Sequence, residues 1–497
     1  MKRPQICLTL TGKTLQENLK TIEKYRNYID MVELRGDFLE PDESLYMRKF
    51  PGMAGLPCIL TIRRKIDGGQ YDEGEASRTT LFARALSYAD TEDKTKNFAY
   101  VDFEEDYHIP SLQDATLAFG TKIIRSVHDM KNPITNIRER LEKLQTSYYE
   151  IPKIAFMPHS LDDVTNLFAE AQTIKNNYHI LVAMGPLGVP SRILSEKLNN
   201  YLTYCSAPES QEGLQSLSHL DPVTLNEMYT FKSIDKNTSI YGITGWPLKK
   251  TSSPQLHSDG YKKNKMNAVY VPICSEKAGQ AIRFADVVGL KGMSVTIPHK
   301  EEVIGYLSEY NEDVKVIGAC NTIRRTKNGW AGYNTDYIGF ARSLLEFTGL
   351  KNLKHKRVAI IGAGGAAKAI AYSVKMLGGK ACIFNRSLQK AKKLAEKYKF
   401  KYEELSVKGV NTLKKYSSII IQTTSVGMGA DNTDINNDPI NFYEFTGNEI
   451  VYDIIYVPEV TAIMRRAINA GCRVYNGYRM LEEQGYEQFK IFTGVDY

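Results

Sequence analysis

Short runs of β-branched and apolar residues alternate with segments of helical periodicity along the whole chain of 497 residues. Segments such as 77–88 and 134–144 repeat apolar side chains every three to four positions, as amphipathic helices do. This alternation is typical of parallel α/β folds. Eight candidate strands within about 205 residues favour a closed (β/α)8 TIM barrel over an open doubly wound sheet. These strands are predicted at 6–10, 31–34, 58–63, 98–103, 122–127, 153–157, 180–184 and 201–204.

The second half of the chain is again α/β, and a polar, turn-rich stretch at 206–238 separates it from the barrel. A helical segment at 337–347 divides its strands into two groups and therefore predicts two lobes. The strands are predicted at 240–244, 268–272, 292–297 and 321–325, and then at 357–361, 381–384, 418–422, 451–455 and 473–475. We expect a barrel at 1–235, a first lobe at 238–340 joined by a C-terminal helix at 478–497, and a second lobe at 345–477.

Charge and composition exclude several classes of protein. The net charge of +7 is spread thinly, whereas a nucleic-acid-binding protein concentrates its basic residues on one face. The sequence contains no apolar run of the length that a transmembrane helix requires. The apolar run at the start of the chain is too short for a secretion signal, and this segment does not resemble a transit peptide. We therefore expect a cytoplasmic protein. The 7 cysteines form no CxxC or CxxH pair, which argues against disulfides and against a metal site.

A glycine-rich turn in the second lobe predicts a dinucleotide site. The turn follows an apolar strand and opens a helix, so that backbone N–H groups can approach a pyrophosphate; it consists of Gly362, Ala363, Gly364, Gly365 and Ala366. The next strand ends at Asn385, Arg386 and Ser387, where an acidic residue would bind the ribose of NAD. A guanidinium at this place suits a 2′-phosphate and therefore predicts NADP. Thr423, at the end of a further strand, is expected on the nicotinamide side.

Two charged residues of the first lobe are candidates for proton transfer. Lys300 and Asp336 each lie at a strand-to-helix junction that faces the expected cleft. A Lys–Asp pair beside a hydroxyl–ketone couple can hold the oxygen and relay a proton while a hydride moves. Taken alone, the pair could equally be a surface salt bridge.

The second half, over about 238–497, resembles shikimate dehydrogenase. The segments that carry the resemblance begin at Gly242 (GITGWPLKKTSSP), Gly292 (GMSVTIPHK), Gly318 (GACNT), Gly332 (GYNTD), Gly362 (GAGGA), Tyr452 (YDIIY) and Gly477 (GYRMLEEQ). The resemblance implies a substrate lobe, a Rossmann NADP-binding lobe, and catalysis by Lys300 and Asp336.

The same resemblance implies roles for further residues. The substrate carboxylate would be bound by Thr251 and Ser253 with Tyr456; the ring hydroxyls would be held by Thr296, Asn321 and Gln484; and Gly477 would lie beside the cofactor. Thr251 stands where many members have Ser, and Ser294 where many have Asn. The preference between shikimate and quinate therefore stays open.

Charged residues also cluster where the barrel strands end, which is where barrel enzymes have their active sites. Lys153 is unusual among them because it lies in an apolar strand that should be buried on both faces. A buried ammonium is costly unless it is paired, and a neutral amine there could form a Schiff base with a ketone. His128 could then remove the proton next to the imine carbon, with Glu104 orienting the imidazole. The alternatives are a lysine that reaches out to water and an ordinary loop histidine.

Residues of about 5–220 resemble type I 3-dehydroquinate dehydratase. The resemblance rests on Glu33-Leu-Arg35, Asp102-Phe-Glu104, Ser126-Val-His128-Asp, Pro-Lys153-Ile-Ala-Phe-Met-Pro and Met184-Gly-(x)5-Ser-Arg192. It implies that Lys153 forms the imine, His128 is the general base and later the acid, Arg192 binds the carboxylate, and Glu33, Arg35 and Arg63 hold hydroxyls. Ser206 would belong to a closing loop that usually reads SAPGQ but here reads SAPESQ. Either a shifted loop lets Gln211 serve in place of the usual glutamine, or that contact is lost.

Together the two resemblances imply consecutive reactions on small-molecule substrates. The barrel would dehydrate 3-dehydroquinate to 3-dehydroshikimate, and the second half would reduce that product to shikimate with NADPH. One alternative is a quinate/shikimate dehydrogenase with the same barrel partner. The other is a non-enzymatic regulator of quinate use, which the proton-transfer residues Lys153, His128, Lys300 and Asp336 argue against.

Overall fold

The computed structural model describes residues 3–87, 90–174, 178–210, 217–248 and 251–497. Two compact units divide the chain: the first comprises Met1–Lys250 and Lys265–Leu290, and the second comprises Thr251–Asn264 and Lys291–Tyr497. This division cuts through the predicted first lobe, whose boundaries stay a prediction. No helix of the described residues is long and apolar enough to cross a membrane.

The first unit contains the predicted barrel, in which eight parallel strands follow the order β7-β6-β5-β4-β3-β2-β1-β8. The strands are β1 Gln5–Leu10, β2 Met31–Arg35, β3 Cys58–Thr61, β4 Tyr100–Glu104, β5 Lys122–Asp129, β6 Glu150–Phe156, β7 Ile180–Ala183 and β8 Leu202–Ser206. Asn200 connects the two end strands, because its side chain accepts a hydrogen bond from Leu181 N at 2.8 Å and donates one to Leu181 O at 2.9 Å. Tyr201 N also donates to His179 O at 2.8 Å. The predicted (β/α)8 barrel is confirmed.

Helices cover the outside of these strands, and local sequence sets their ends. Thr14 and Glu17 form a capping box, in which Thr14 Oγ1 accepts from Glu17 N at 3.1 Å and the Glu17 carboxylate accepts from Thr14 N. Among the described residues of the first unit, the helices are Leu15–Tyr25, Pro41–Ser44, Phe50–Ala54, Glu75–Leu86, Pro110–Ala118, Ile137–Leu144, Leu161–Ala171, Val189–Ile193 and Ala278–Val288. Inside the barrel, an apolar cluster that includes Ile59, Ile124 and Ile180 fills the core.

The first unit also contains the parallel strands β9 Ser239–Gly245 and β10 Ala268–Cys274. Helix Ala278–Val288, which follows β10, packs against barrel helix Leu161–Ala171. Phe284 meets Phe168 edge to face with ring centroids 5.5 Å apart, and both rings are buried. The barrel therefore shares an apolar contact with the chain that follows it.

The second unit holds two sets of paired strands. One set contains β11 Gly292–Val295, β12 Glu309–Tyr310, β13 Thr322–Thr326 and β14 Gly329–Tyr333, in the order β11-β13-β14-β12. The other set is a sheet that is parallel throughout and follows the order β17-β16-β15-β18-β19-β20; its strands are β15 Arg357–Ile361, β16 Lys380–Asn385, β17 Lys401–Glu404, β18 Ile419–Gln422, β19 Ile450–Asp453 and β20 Arg473–Tyr475. This arrangement is the predicted Rossmann fold, and the strand order reverses beside β15, where such sheets bind ligands.

Two helices of the second unit were predicted with bounds, and both are present: the C-terminal helix predicted at 478–497 spans Tyr478–Thr493. The segment predicted at 337–347 forms helix Asp336–Thr348. The others are Ser253–Lys263, Glu312–Ile317, Gly365–Met376, Leu388–Tyr398, Val410–Tyr416 and Ala462–Asn469.

Candidate active sites

A cavity opens at the carboxyl ends of the barrel strands. Among the residues that line it are six that the sequence predicted: Glu33, Arg35, Arg63, His128, Lys153 and Arg192. Glu104 and Ser206 are buried at the ends of their strands and do not line this cavity. Gln211 lies outside the described residues.

Lys153 is buried, with 5% of its surface exposed, and it is paired. Its Nζ donates to Asp102 Oδ2 at 2.9 Å and lies 4.5 Å from the centroid of the Tyr204 ring. Asp102 also accepts from Ser126 Oγ at 2.5 Å and pairs with Arg63 Nη2 at 2.9 Å. The sequence prediction assigned no role to Asp102, although its place two residues before Glu104 puts both side chains on the same face of β4.

The charges around this lysine fix the protonation of its neighbours. Burial alone would raise the pKa of Asp102, but the Arg63 and Lys153 cations hold it well below its usual range, so the carboxylate is ionised. Burial, reinforced by the same two cations, holds the pKa of His128 well below its usual value. His128 is therefore a neutral imidazole at neutral pH and can accept a proton.

Glu104 has a different place from the one expected. Its carboxylate accepts from Arg63 Nη1 at 2.7 Å and from Arg78 Nη1 at 2.8 Å. In the part of the chain that the structure describes, His128 Nδ1 has no hydrogen-bond partner, so the expected bond from His128 to Glu104 is absent. Both oxygens of Glu104 are bound by arginines, and this carboxylate therefore orients Arg63 rather than the imidazole.

Arg192 offers unused hydrogen-bond donors to the cavity. It is 2% exposed, and its Nη2 donates to Leu217 O at 3.0 Å. Its Nε and Nη1 are buried and have no partner among the described residues. Burial lowers the pKa of Arg192 to about 10, because no carboxylate compensates for the lost hydration. A buried cation of this kind fits a carboxylate of the substrate.

Two other predicted residues have protein partners of their own. Glu33 accepts from Thr9 Oγ1 at 3.0 Å and from Thr61 Oγ1 at 2.8 Å. Arg35 donates to the two oxygens of Asp37, at 2.9 and 2.7 Å. These bonds hold both side chains in place at the cavity wall.

The second unit brings together the candidate proton-transfer pair. Lys300 Nζ donates to Asp336 Oδ2 at 2.5 Å. Asn321 Nδ2 donates to Asp336 Oδ1 at 2.9 Å and lies 3.4 Å from Gln484 Oε1. Thr335 N in turn donates to Asn321 Oδ1 at 2.8 Å. Asp336 is thus fixed from one side by Asn321 and carries Lys300 on its other oxygen.

The remaining predicted substrate residues lie in the same unit. Thr251 Oγ1 and Ser253 Oγ are 3.2 Å apart, just where helix Ser253–Lys263 begins. Thr296 is half-buried after β11, and Tyr456 is half-buried after β19 with its ring 6.3 Å from that of Tyr478. Ser294 donates to Gln488 Oε1 at 2.7 Å.

The glycine-rich turn has the geometry of a phosphate cradle. Gly362 has a φ of 113°, and a Cβ at this position would lie 2.5 Å from Thr423 Oγ1. Helix Gly365–Met376 begins directly afterwards, so that free N–H groups of its first turn point out of the turn. A Cβ at Gly365 would lie 3.6 Å from Lys300 Cδ, which places the candidate proton donor beside the cradle.

The strand next to the cradle carries the residues expected to choose between the two dinucleotides. Asn385 is half-buried at the end of β16, and Arg386 and Ser387 are exposed. A Cβ on Gly477 would lie 1.9 Å from Ile454 O, so this position requires glycine. The cradle and the exposed guanidinium fit a dinucleotide with a 2′-phosphate.

Three family models match the chain. Type I 3-dehydroquinase matches residues 6–236, the shikimate dehydrogenase substrate binding domain matches 243–323, and shikimate/quinate 5-dehydrogenase matches 345–437.

Individual relatives match either the whole chain or about half of it. A bifunctional 3-dehydroquinate dehydratase/shikimate dehydrogenase of Arabidopsis thaliana chloroplasts is 30% identical over 530 residues, covering 100% of this chain and 83% of the relative. A shikimate dehydrogenase (NADP(+)) of Caldanaerobacter subterraneus is 35% identical over 268 residues, covering 52% of this chain and 94% of the relative. The solved dehydroquinate dehydratase and shikimate dehydrogenase from S. pombe is 23% identical, with a TM-score of 0.42, and the match covers 100% of this chain and 96% of that one.

Proposed function

Because the chain belongs to the family of bifunctional 3-dehydroquinate dehydratases/shikimate dehydrogenases, we propose how its own residues carry the two reactions. The barrel dehydrates 3-dehydroquinate to 3-dehydroshikimate, and the second half reduces 3-dehydroshikimate to shikimate. The observation that carries the first assignment is the buried Lys153–Asp102 pair, at 2.9 Å, in one cavity with a neutral His128.

In the dehydration, Lys153 is the nucleophile. Its ammonium gives up a proton, and the resulting amine attacks the ketone carbon of the substrate. The ketone oxygen leaves as water with two of the protons that the nitrogen carried, which gives a protonated imine held beside Asp102. Neutral His128 then takes the proton from the adjacent carbon. The hydroxyl on the next carbon then leaves as water with the proton that His128 carries, and hydrolysis of the imine frees the product and Lys153. Arg192 holds the carboxylate through its unpartnered Nε and Nη1.

In the reduction, Lys300 donates a proton to the ketone oxygen of 3-dehydroshikimate. Asp336 orients the ammonium at 2.5 Å, and Asn321 holds Asp336 in place. Bound NADPH supplies the hydride. The turn Gly362–Gly365 would hold its pyrophosphate and Arg386 its 2′-phosphate.

The remaining substrate contacts follow the same assignment. Thr251, Ser253 and Tyr456 would bind the carboxylate, and Thr296, Asn321 and Gln484 the ring hydroxyls. Cytoplasmic residence fits the seven cysteines, all of which are free and buried.

A coupled assay tests the proposed function. Purified protein is given 3-dehydroquinate together with NADPH or NADH, and both absorbance of the unsaturated product and cofactor oxidation are followed. We expect conversion to shikimate, with NADPH preferred. A larger kcat/KM for quinate than for shikimate would instead favour a quinate dehydrogenase, a possibility that the methyl group of Thr251 keeps open.

A further inference from the structure

A second histidine lines the barrel cavity. His219 is a wall residue of the same cavity as Lys153, His128 and Arg192. The residues around His219 in the sequence are mostly polar and do not indicate a functional role for it. The mechanism above leaves this imidazole without a role.

The backbone holds His219 at the edge of β8. Leu220 forms a parallel bridge with Cys205, and Ser206 N donates to Leu220 O at 3.1 Å. Ser218 precedes His219 with a φ of 54°, so the chain turns sharply just before the ring. The imidazole is therefore part of the wall that the strand ends build.

The ring is a neutral polar group with unused hydrogen-bonding capacity. Burial, followed by the Arg192 cation, lowers the pKa of His219 well below its usual value, although a hydrogen bond with the Cys205 backbone acts against them. Arg35 and Lys153 also act in the lowering direction. Nδ1 is buried and has no hydrogen-bond partner among the described residues. A buried polar atom left without a partner costs about 1–3 kcal/mol, which a polar ligand can recover.

Arg192 stands beside this ring with unused donors of its own. Its Nη2 donates to Leu217 O, two residues before His219, while Nε and Nη1 are unpartnered in the described part of the chain. The pair therefore offers a cation and a neutral imidazole side by side. 3-Dehydroquinate presents a carboxylate and a hydroxyl on one carbon, so a carboxylate bound to Arg192 brings that hydroxyl to the same wall.

We propose that His219 is a substrate-binding residue of the dehydratase site and that its imidazole hydrogen-bonds the hydroxyl next to the substrate carboxylate. The proposal rests on the proposed function of the barrel. It extends that function, because this hydroxyl is the group that leaves. The product lacks the hydroxyl, so His219 distinguishes substrate from product.

The test compares His219→Met with His219→Gln. The two side chains have similar length, but only glutamine can donate and accept hydrogen bonds. We expect Met to raise KM for 3-dehydroquinate about tenfold or more, with kcat changed less than about threefold, and Gln to return KM to within about threefold of wild type. The inhibition constant of 3-dehydroshikimate should change less than about threefold in both variants. Borohydride trapping on Lys153 at saturating substrate should persist in both.

An unchanged KM in His219→Met would overturn the proposal. A fall in kcat and in trapping that Met and Gln share would overturn it as well, because that result indicates a structural role. Equal weakening of substrate and product would show that the leaving hydroxyl is not the bound group. If the wild-type protein itself fails to dehydrate 3-dehydroquinate, the proposed function of the barrel fails first, and this assignment fails with it.

Discussion

Asp102 balances the charges of the barrel site, since its carboxylate pairs with both Lys153 and Arg63. All three side chains are buried, so removal of the carboxylate leaves two cations without their counter-ion. The loss of one partner from a buried ion pair is far more costly than the loss of an exposed pair.

We therefore expect Asp102→Asn to lower the free energy of unfolding by about 3 kcal/mol. The matched control is Asp106→Asn, since Asp106 pairs with Arg64 at 2.9 Å on the surface and should contribute less than about 1 kcal/mol. Urea unfolding of the full chain at neutral pH measures both. Equal effects of the two substitutions would contradict the account.

The same carboxylate gives a pH dependence of known sign. Its pKa is lowered in the folded protein, so its contribution is fully present above the unfolded value of about 3.9 and is lost as pH falls below it. The difference in stability between wild type and Asp102→Asn should therefore shrink when unfolding is repeated in increasingly acidic buffer. A difference that stays constant with pH would show that the carboxylate is not ionised.

His128 gives a prediction for the activity itself. Because its pKa lies well below the usual 6.5, the imidazole that we propose as the base stays neutral in mildly acidic solution. The acid limb of kcat/KM for dehydration should thus lie clearly below pH 6.5. A limb at or above that pH would show that His128 titrates normally or that another group is the base.

The sequence predicts which residues of the barrel site are functional better than it predicts their hydrogen-bond partners. Lys153 stands out because a basic residue interrupts an apolar strand. Its partner Asp102 lies 51 residues earlier in the chain, and only the register of β4 and β6 across β5 brings the two together. The bonds of Glu104 to Arg63 and Arg78 depend on the same long-range packing.

The turn after β15 requires glycine at position 362. Gly362→Ala would place a Cβ 2.5 Å from Thr423 Oγ1 at a φ of 113°, which side chains rarely adopt. We expect KM for NADPH to rise at least about tenfold, because the turn must move to relieve this clash and its N–H groups then no longer meet the pyrophosphate at hydrogen-bonding distance. Gly305→Ala is the control, since a Cβ there meets nothing within 4 Å. Steady-state kinetics of 3-dehydroshikimate reduction would refute this if both variants kept the wild-type KM.

Strands with long apolar runs could be predicted from the sequence, whereas short or polar strands could not. All eight barrel strands and the core strands of the Rossmann sheet coincide with their predicted segments. The sequence did not predict β12, β14 and β17, because β12 has only two residues and β17 is polar and largely exposed at the sheet edge. β14 follows β13 after a two-residue turn at Lys327 and Asn328. The Asn328-Gly329 pair is a sequence typical of such a hairpin and could have indicated this strand.

For the whole molecule, the contact between helices Leu161–Ala171 and Ala278–Val288 ties the barrel to the chain beyond it. Arg283 also pairs with Asp162 at 2.7 Å, but this pair is partly exposed and contributes little. Phe284→Ala should lower the free energy of unfolding by about 3 kcal/mol, whereas Arg283→Ala should lower it by less than about 1 kcal/mol. Urea unfolding of both variants and of the wild type measures the two losses. A larger loss in Arg283→Ala than in Phe284→Ala would mean that charge rather than apolar packing dominates this contact.

One chain is proposed to carry two separate catalytic sites that act in sequence. NADPH oxidation from 3-dehydroquinate, measured with Lys153→Ala, with Lys300→Ala and with an equal mixture of both, tests this division of labour. Lys153→Ala should still reduce 3-dehydroshikimate and Lys300→Ala should still dehydrate 3-dehydroquinate, so each variant alone should fail and the mixture should produce shikimate. A mixture that stays inactive, or a Lys153→Ala protein that still oxidises NADPH from 3-dehydroquinate, would contradict the account.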